Sequence, residues 1–595
     1  MKNIKNILII ALAFIMHSCS DFLEPDSLST FNSEYVFSNV DDARKATNAI
    51  YTHFNQDAFR SRLSNNMTGN TDIEQNFGTS TSDRYQIWNL TPQVTNGDLK
   101  VVWEEAYKAI RDANFVIDGI NASAALNSTD PAIKSNMRQF LGEAYTLRAY
   151  WYSMLVFHFG DVPFMTQAPK AGVEFNLPKE DRNVILSAVI QDMINAEKDM
   201  QWADQTSYGI EQVNREYTLG MIARLALQRG GWFLKPDMTM DRKSDYLDYY
   251  QIAKDYTQKL MTLKDRELPK DFNQIFLNES KFIVANPKTS DVLFEVPFPI
   301  GQGDVGWNIG IRVDAGTHPY GSGGNYMNIP PSYLYSFDTK DIRRDVTCGL
   351  YYLDKDFVPQ VVGIGAIAQG KWSREYLSPA PGASTNKGTG INWPMLRYSD
   401  VVLMYAEAEN ELNGPTAAAQ SALKRVRKRA FKEVDWTDKV DTYVANVSGS
   451  KDNFFNAIVD ERAWEFGGEM IRKYELIRWN LYDKKVQAAS EQCKKYADEA
   501  KAGTGTLPDY IYVKNVNNRL VILNLDAKLA IAPDATWTRV SWLNALNSST
   551  GALGYQDWIT KAWANYTYPV RYIMPLPAVA ITNSKGLLKN DGYGY

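Results

Sequence analysis

Between residues 137 and 159, apolar side chains return every three or four positions, at Leu141, Ala144, Leu147, Trp151 and Leu155. That spacing puts them on one face of an α-helix, which Gly160 and Pro163 then close. The same period predicts helices over 41–57, opened by the acidic pair Asp41 and Asp42, and over 99–120, with Val102, Ala106, Ala109, Ala113 and Val116 as the apolar stripe. Further helices are predicted near 183–200, 215–233 and 246–263. Residues 396–413 and 415–430 read as a helical hairpin, because Gly414 follows one helix and Pro415 opens the next. Arg397 to Ala430 spans 34 residues, the length of one tetratricopeptide unit, and Ala406, Ala408, Ala418 and Ala422 permit close approach of the two helices. Several consecutive pairs of this kind predict a mainly α, tetratricopeptide-like helical repeat scaffold. An unrelated helical bundle is the plainer alternative.

Two stretches break the period. Residues 61–98 are rich in Asn, Thr, Ser and Gly and read as a long loop region, and long loops in compact proteins are usually functional. Residues 271–395 hold one short predicted strand, Val292 to Val296, followed by about fifteen glycines between Gly301 and Gly390 mixed with aromatics and prolines. The expected organisation is therefore a helical region over 19–270 carrying the 61–98 loop, an irregular insert over 271–395, and a helical region with its tail over 396–595.

The N-terminus has a different pattern. Lys2 and Lys5 precede a run of about ten apolar residues from Ile7 to Met16, too short to span a bilayer, which needs ~20. This reads as a secretory signal over 1–18. Small Ser18 directly before Cys19 makes it a lipoprotein signal, with Cys19 as the residue acylated after cleavage. An ordinary signal with an incidental cysteine is the alternative.

Composition narrows the function classes. An apolar fraction of 45% and an aromatic fraction of 12% indicate a packed chain. The formal charge of −5 becomes −7 once Lys2 and Lys5 are removed, which argues against nucleic acid as a partner. Cys348 and Cys493 are the other two cysteines; one disulfide is conceivable, and two separate buried thiols are the favoured reading. With only His53, His158 and His318 in the mature chain, and neither CxxC nor HExxH, no metal or cofactor is expected. The Gly363–Ala368 stretch superficially matches a dinucleotide fingerprint, but no helix is predicted after it, so it is rejected. The basic run Lys424, Arg425, Arg427, Lys428 and Arg429 spreads around a helix and reads as a solvated face.

Four segments together resemble the SusD/RagB family of outer-membrane nutrient-binding lipoproteins. They are Ser18-Cys19-Ser20-Asp21-Phe22-Leu23; GEAYTLRAYWYSMLVFHFGDVPF at 142–164; WPMLRYSDVVLMYAEAENELNG at 393–414 with DERAWEFGGEMIRKYELIRWN at 460–480; and the tail YPVRYIMPLPAVAITNSKGLLKNDGY at 568–593. The resemblance implies four tetratricopeptide-like units carrying an irregular ligand-binding subdomain. It also implies a lipid-anchored protein on the outer face of the outer membrane. Such a protein captures oligosaccharides, or in some branches peptides, and passes them to a SusC-like, TonB-dependent β-barrel transporter.

Sugar capture needs flat aromatic faces for the C–H side of a pyranose and polar groups for its hydroxyls. The resemblance points to two regions rather than to individual residues. From the first come Asp72, Arg84, Tyr85 and Trp88; from the second come Trp307, Asn308, Tyr320 and Tyr326. Trp307 is the leading candidate, because the glycines around it leave its faces accessible, and Trp372 is a weaker one. Trp103, Trp151, Trp464 and Trp479, on predicted helices, are read as core, and Trp393 as scaffold. No GxSxG occurs, and a binding protein rather than an enzyme is expected. A surface polysaccharide hydrolase using a carboxylate pair is the rival from another class.

Overall fold

The computed structural model describes residues 33–595 apart from 77–79, 171, 173, 175, 549–562, 564 and 565. Cys19 and the signal segment lie outside the described residues. The longer elements are numbered here in chain order. Helices α1 (Val40–Tyr51), α2 (Asp83–Trp88), α3 (Gly97–Ala122), α4 (Pro131–Phe159), α5 (Arg182–Ala196), α6 (Arg215–Arg229) and α7 (Tyr246–Leu263) form the first half. Helices α8 (Phe272–Ser280), α9 (Tyr398–Asn413), α10 (Ala417–Lys428), α11 (Lys451–Phe466), α12 (Arg472–Arg478) and α13 (Tyr482–Ala502) follow.

Successive helices pack as neighbours: α3 on α4, α4 on α5, α5 on α6, α6 on α7, and α9 on α7, α10 and α11. This is the helical, tetratricopeptide-like scaffold that the periodicity predicts. Local chemistry sets the ends. Asp130 accepts hydrogen bonds from the Ala132 and Ile133 amides, and Pro131 occupies the first helical position. Helix α4 therefore begins six residues before the predicted start, within a polar first turn that periodicity cannot detect. In the α9–α10 hairpin, Thr416 caps α10 by accepting from the Ala419 amide. Trp103, Trp151 and Trp479 are buried as expected, whereas Trp464 is half-buried.

One strand pair brings together the two ends of the segment between residues 296 and 393. Strand β1 (Val292–Val296) pairs antiparallel with β2 (Trp393–Arg397), with Trp393 opposite Val296 and Arg397 opposite Val292. A three-stranded sheet follows α13, with β3 (Tyr510–Val516) between β4 (Arg519–Ile522) and β5 (Thr538–Ser541). The tail then returns to the scaffold, where the Met574 amide donates to the His158 carbonyl at 2.7 Å.

Three expectations are corrected. Residues 61–98 are not one exposed loop: α2 lies within them, and 64–76 are buried throughout. Amide side chains of this polar stretch instead bind its backbone. Asn70 donates to the Trp88 carbonyl, and Gln75 to the Thr71 carbonyl at 2.6 Å. The basic run is not a solvated face either. Arg427 and Arg429 are buried, the first paired with Glu461 at 2.8 Å, the second with Asp291 at 3.0 Å and with Glu465. Trp372 is fully buried, stacked on Trp393 and donating to the Gly468 carbonyl at 2.8 Å. The Gly363–Ala368 stretch forms a short 3₁₀ turn and then a strand residue, consistent with its rejection. Cys348 and Cys493 are separate buried thiols.

Candidate functional site

The two irregular regions chosen from sequence meet in space. Gln75 and Asn328 exchange backbone hydrogen bonds at 2.8 and 2.7 Å, and the Asn76 side chain donates to the Tyr326 carbonyl. Within the second region, the Gly324 amide donates to the Trp307 carbonyl at 2.8 Å, and the Tyr326 amide to the Asn308 carbonyl at 3.0 Å. These two bonds bring the Trp307 and Tyr326 rings to 6.0 Å between centroids, tilted at 57°. Both rings are half-buried, leaving part of each accessible.

Helix α2 supplies the other wall. The Arg84 guanidinium sits 5.8 Å from each of the Trp88, Trp307 and Tyr326 ring centroids. It also donates to Asn308 Oδ1 at 3.0 Å. Burial and the neighbouring Arg62 lower the Arg84 pKa from its ordinary value. Tyr85 lies edge-on to Trp88 at 5.2 Å, half-buried. Five of the eight sequence candidates for ligand contact thus converge around Arg84 itself: Tyr85, Trp88, Trp307, Asn308 and Tyr326.

Their roles within this group differ. Trp88 is 1% exposed and donates its Nε1–H to the Asn66 carbonyl at 2.7 Å, so it supports the rings above it and offers no face of its own. Asn308 is fully buried and bolts the regions together, accepting from Arg84 and donating to Asn65 Oδ1 at 3.2 Å. Asp72 is buried in a two-bond ion pair with Arg472 of α12, at 2.9 and 2.7 Å. Tyr320 belongs to a separate aromatic group, stacked on Phe357 at 4.5 Å and 8° with His318 alongside. As exposed sugar contacts, Trp88, Asn308 and Asp72 are therefore corrected: each is consumed by internal hydrogen bonds or packing.

Sequence reading missed a second cation beside Trp307. The exposed Lys387 ammonium lies 4.5 Å from that ring centroid. Buried Arg374 holds its loop, donating to the carbonyls of Tyr320 (2.8 Å), Thr385 (2.8 Å) and Asn386 (2.6 Å). Burial pushes the Arg374 pKa down to about 10. Gly321, at φ +67°, permits this approach, since a Cβ there would lie 1.8 Å from the Thr385 carbonyl oxygen. Nothing local in the sequence links Lys387 to Trp307, 80 positions earlier.

A pair of neighbouring carboxyl groups lies away from this ring group. Glu279 and Glu295 are each 2% exposed, and burial raises both, Glu295 to about 7. Among the described residues no cluster of three or more His, Cys, Asp or Glu side chains is arranged to hold a metal ion. No described helix is long and apolar enough to cross a membrane.

Residues 364–593 match the family described as the SusD family, and residues 21–213 match the one described as "Starch-binding associating with outer membrane". The chain is 26% identical over 499 residues to SusD-like protein P2 of Formosa agariphila, covering 81% of this chain and 91% of that protein. A crystal structure of a SusD homolog from Bacteroides thetaiotaomicron superimposes with a TM-score of 0.74 at 19% identity, covering 95% of this chain and 98% of that one. Surface glycan-binding protein A of the same organism, solved with laminarihexaose, gives a TM-score of 0.60 at 15% identity over 93% and 99% of the two chains. The two family matches occupy both ends of a chain whose fold agrees over nearly its whole length: the protein belongs to the SusD/RagB family.

Proposed function

We propose that this protein is a surface-exposed, non-catalytic glycan-binding lipoprotein that delivers oligosaccharide to a SusC-like, TonB-dependent outer-membrane transporter. The observation that carries the reading is the half-exposed ring group Trp307, Tyr326 and Tyr85 around Arg84. Tilted aromatic faces suit the C–H surface of a sugar chain, and a shallow platform suits a ligand presented as a polymer. The bound laminarihexaose in a protein of the same fold supports a sugar over a peptide. Within that class, the paired cations Arg84 and Lys387 at Trp307 favour acidic sugar residues over neutral ones.

The test is calorimetric titration of oligosaccharides, neutral and uronate- or sulfate-bearing, with peptides as a control. Affinity for acidic oligosaccharides that falls with added salt fits the proposal; binding of peptides alone overturns it. Incubation with polysaccharides should release no new reducing ends.

Anchoring rests on Ser18-Cys19 and partnership on the family. Cys19→Ala should abolish lipid labelling and release the protein from membranes. Mild detergent extraction of the unaltered protein should bring down a large β-barrel in stoichiometric amount. Repeated recovery of the lipoprotein alone, with the barrel expressed, would count against the partnership.

A further inference from the structure

The three-stranded sheet after α13 has two unlike faces. Ile511 and Val513 of β3 point into a core that holds Trp542, Leu543 and Leu546. Side chains alternate along a strand, so Tyr510, Tyr512, Lys514 and Val516 lie on the outer face. On β4, Val521 stands opposite Lys514 and Arg519 opposite Val516; on β5, Arg539 stands opposite Tyr512. Opposed residues share a face, and Val516, Arg519, Val521 and Arg539 are all exposed. Leu523 extends the β4 row, its amide donating to the Tyr512 carbonyl at 2.9 Å. The connection from β4 to β5 meets the same face, where the Tyr512 hydroxyl donates to the Ala530 carbonyl at 3.2 Å. That bond sets Leu529 and Ile531 beside the row, Ile531 being 77% exposed.

Two properties set this face apart. Among the described residues nineteen large apolar side chains are exposed, and five of them lie here: Val516, Val521, Leu523, Leu529 and Ile531. The second property is charge. Lys514, Arg519 and Arg539 make no salt bridge with a described residue. Rings hold two of them, the Lys514 ammonium 4.3 Å from the Trp537 centroid and the Arg539 guanidinium 3.7 Å from that of Tyr510. Three acids occur between 509 and 541. Asp509 is paired with Lys528 at 2.9 Å and Asp526 with Arg344 at 2.7 Å. Asp534 is bonded to Thr536 and also feels Lys514. Three such cations against one acid leave a net charge of about +2, on a chain whose mature body carries −7.

We propose that this face seats on an anionic lipid surface. Ile531 and its aliphatic neighbours enter the boundary between headgroups and acyl chains, and Lys514, Arg519 and Arg539 meet the phosphates. Apolar tips alone would suit a protein partner, and cations alone a soluble polyanion. Their alternation on one flat face suits a medium that is charged at its surface and apolar beneath. The contact is weak by itself, because Asp534 and the acidic body oppose it, and it orients the protein rather than anchoring it. A tether at Cys19 holds the face at a local concentration on the order of millimolar, enough to occupy a weak site. The proposal takes the tether from the anchoring reading and adds the surface that the tether brings into contact.

The experiment mixes the full chain carrying Cys19→Ala, and so without lipid, with vesicles of phosphatidylglycerol or of phosphatidylcholine at low ionic strength. Co-sedimentation should show half-maximal binding to phosphatidylglycerol at lipid concentrations on the order of millimolar, and binding to phosphatidylcholine at least about tenfold weaker. Added salt should weaken the first. Ile531→Asp, and separately Arg519→Gln combined with Arg539→Gln, should each weaken it about fivefold or more. All three positions are exposed, so melting temperature and oligosaccharide affinity should not change. Trp307→Ala should bind vesicles as the parent does. Equal binding of both lipids, binding of neither, or loss on Trp307→Ala would each overturn the assignment. Loss on the arginine pair with indifference to Ile531→Asp would make the face a soluble-polyanion site and overturn it. Loss of a co-purifying barrel on Ile531→Asp, without vesicle binding, would give the face to a protein partner and do the same. None of these outcomes depends on sugar binding or on lipidation of Cys19.

Discussion

Trp307 and Tyr326 lie 6.0 Å apart because two backbone hydrogen bonds, not their own side chains, fix the strands of loop that carry them. The platform is thus set by the glycine-rich backbone and survives loss of either ring. Trp307→Ala should weaken oligosaccharide binding by ~2 kcal/mol or more, roughly thirtyfold, while the melting temperature stays close to that of the unaltered protein. Calorimetric affinity and thermal melting on the same preparation check both halves; unchanged affinity would move the site.

Trp88 should behave in the opposite way. Its ring is sealed beneath Arg84 and Tyr85, and its indole N–H is committed to the Asn66 carbonyl. Trp88→Ala should cost ~3–5 kcal/mol of stability by leaving a cavity, and weaken ligand only through disorder of the wall above it. Denaturant titration read by intrinsic fluorescence measures the first quantity, and a small stability loss would place Trp88 on the ligand surface after all.

The contrast between these tryptophans marks what the sequence makes legible. Each is followed directly by an asparagine, Asn89 and Asn308, in a polar or glycine-rich context, and no local period separates them. What buries Trp88 is side-chain chemistry unlike loop chemistry, with Asn70 binding its carbonyl and Gly69 leaving room for Met327 and the indole. The 3.6-residue period of α4 and the breaks around 414 were readable because each is local. The convergence of residues 75–88 with 305–328, the arrival of Lys387 and the burial of Arg427 and Arg429 depend on partners tens to hundreds of positions away. Charge alone gave the wrong side of α10, because Glu461 and Glu465 are supplied by a different helix.

Glu465 is the centre of that buried charge. It meets Arg343 from the insert at 3.1 Å, Arg397 at 2.8 Å and Arg429, all four side chains being essentially inaccessible. Burial opposes its ionisation, but Arg429, Arg397 and Arg343 together hold its pKa far below the ordinary carboxylate range. The sign follows: this stabilisation is complete above the unfolded carboxylate's pKa and is lost as pH falls through the lowered one. Glu465→Gln should therefore cost ~3–5 kcal/mol at neutral pH, because it removes the carboxylate that three buried guanidinium groups share and leaves them to Asp341, Glu461, Asp291 and Glu469 alone, and the deficit should shrink in strong acid. Urea titrations of both proteins across that range provide the measurement, and a deficit independent of pH would refute the electrostatic account.

His53 gives the opposite pH dependence. Its Nδ1 lies 2.6 Å from Glu105 and its Nε2 2.9 Å from Asp112, so both ring nitrogens face carboxylates of α3. Burial disfavours the imidazolium, but the bonds to Asp112 and Glu105 outweigh it and raise the pKa above the ordinary histidine value. A raised folded-state pKa contributes stability that is full below the unfolded value, about 6.5, and disappears as pH rises through the folded one. His53→Gln should keep a hydrogen-bonding side chain but lose the charge. The gap in melting temperature between the two proteins should be widest near pH 5–6 and close towards alkaline pH, while Asp112, whose pKa His53 helps to lower, remains ionised throughout. Parallel melting curves at a series of pH values test this, and a constant gap would mean that His53 contributes packing alone.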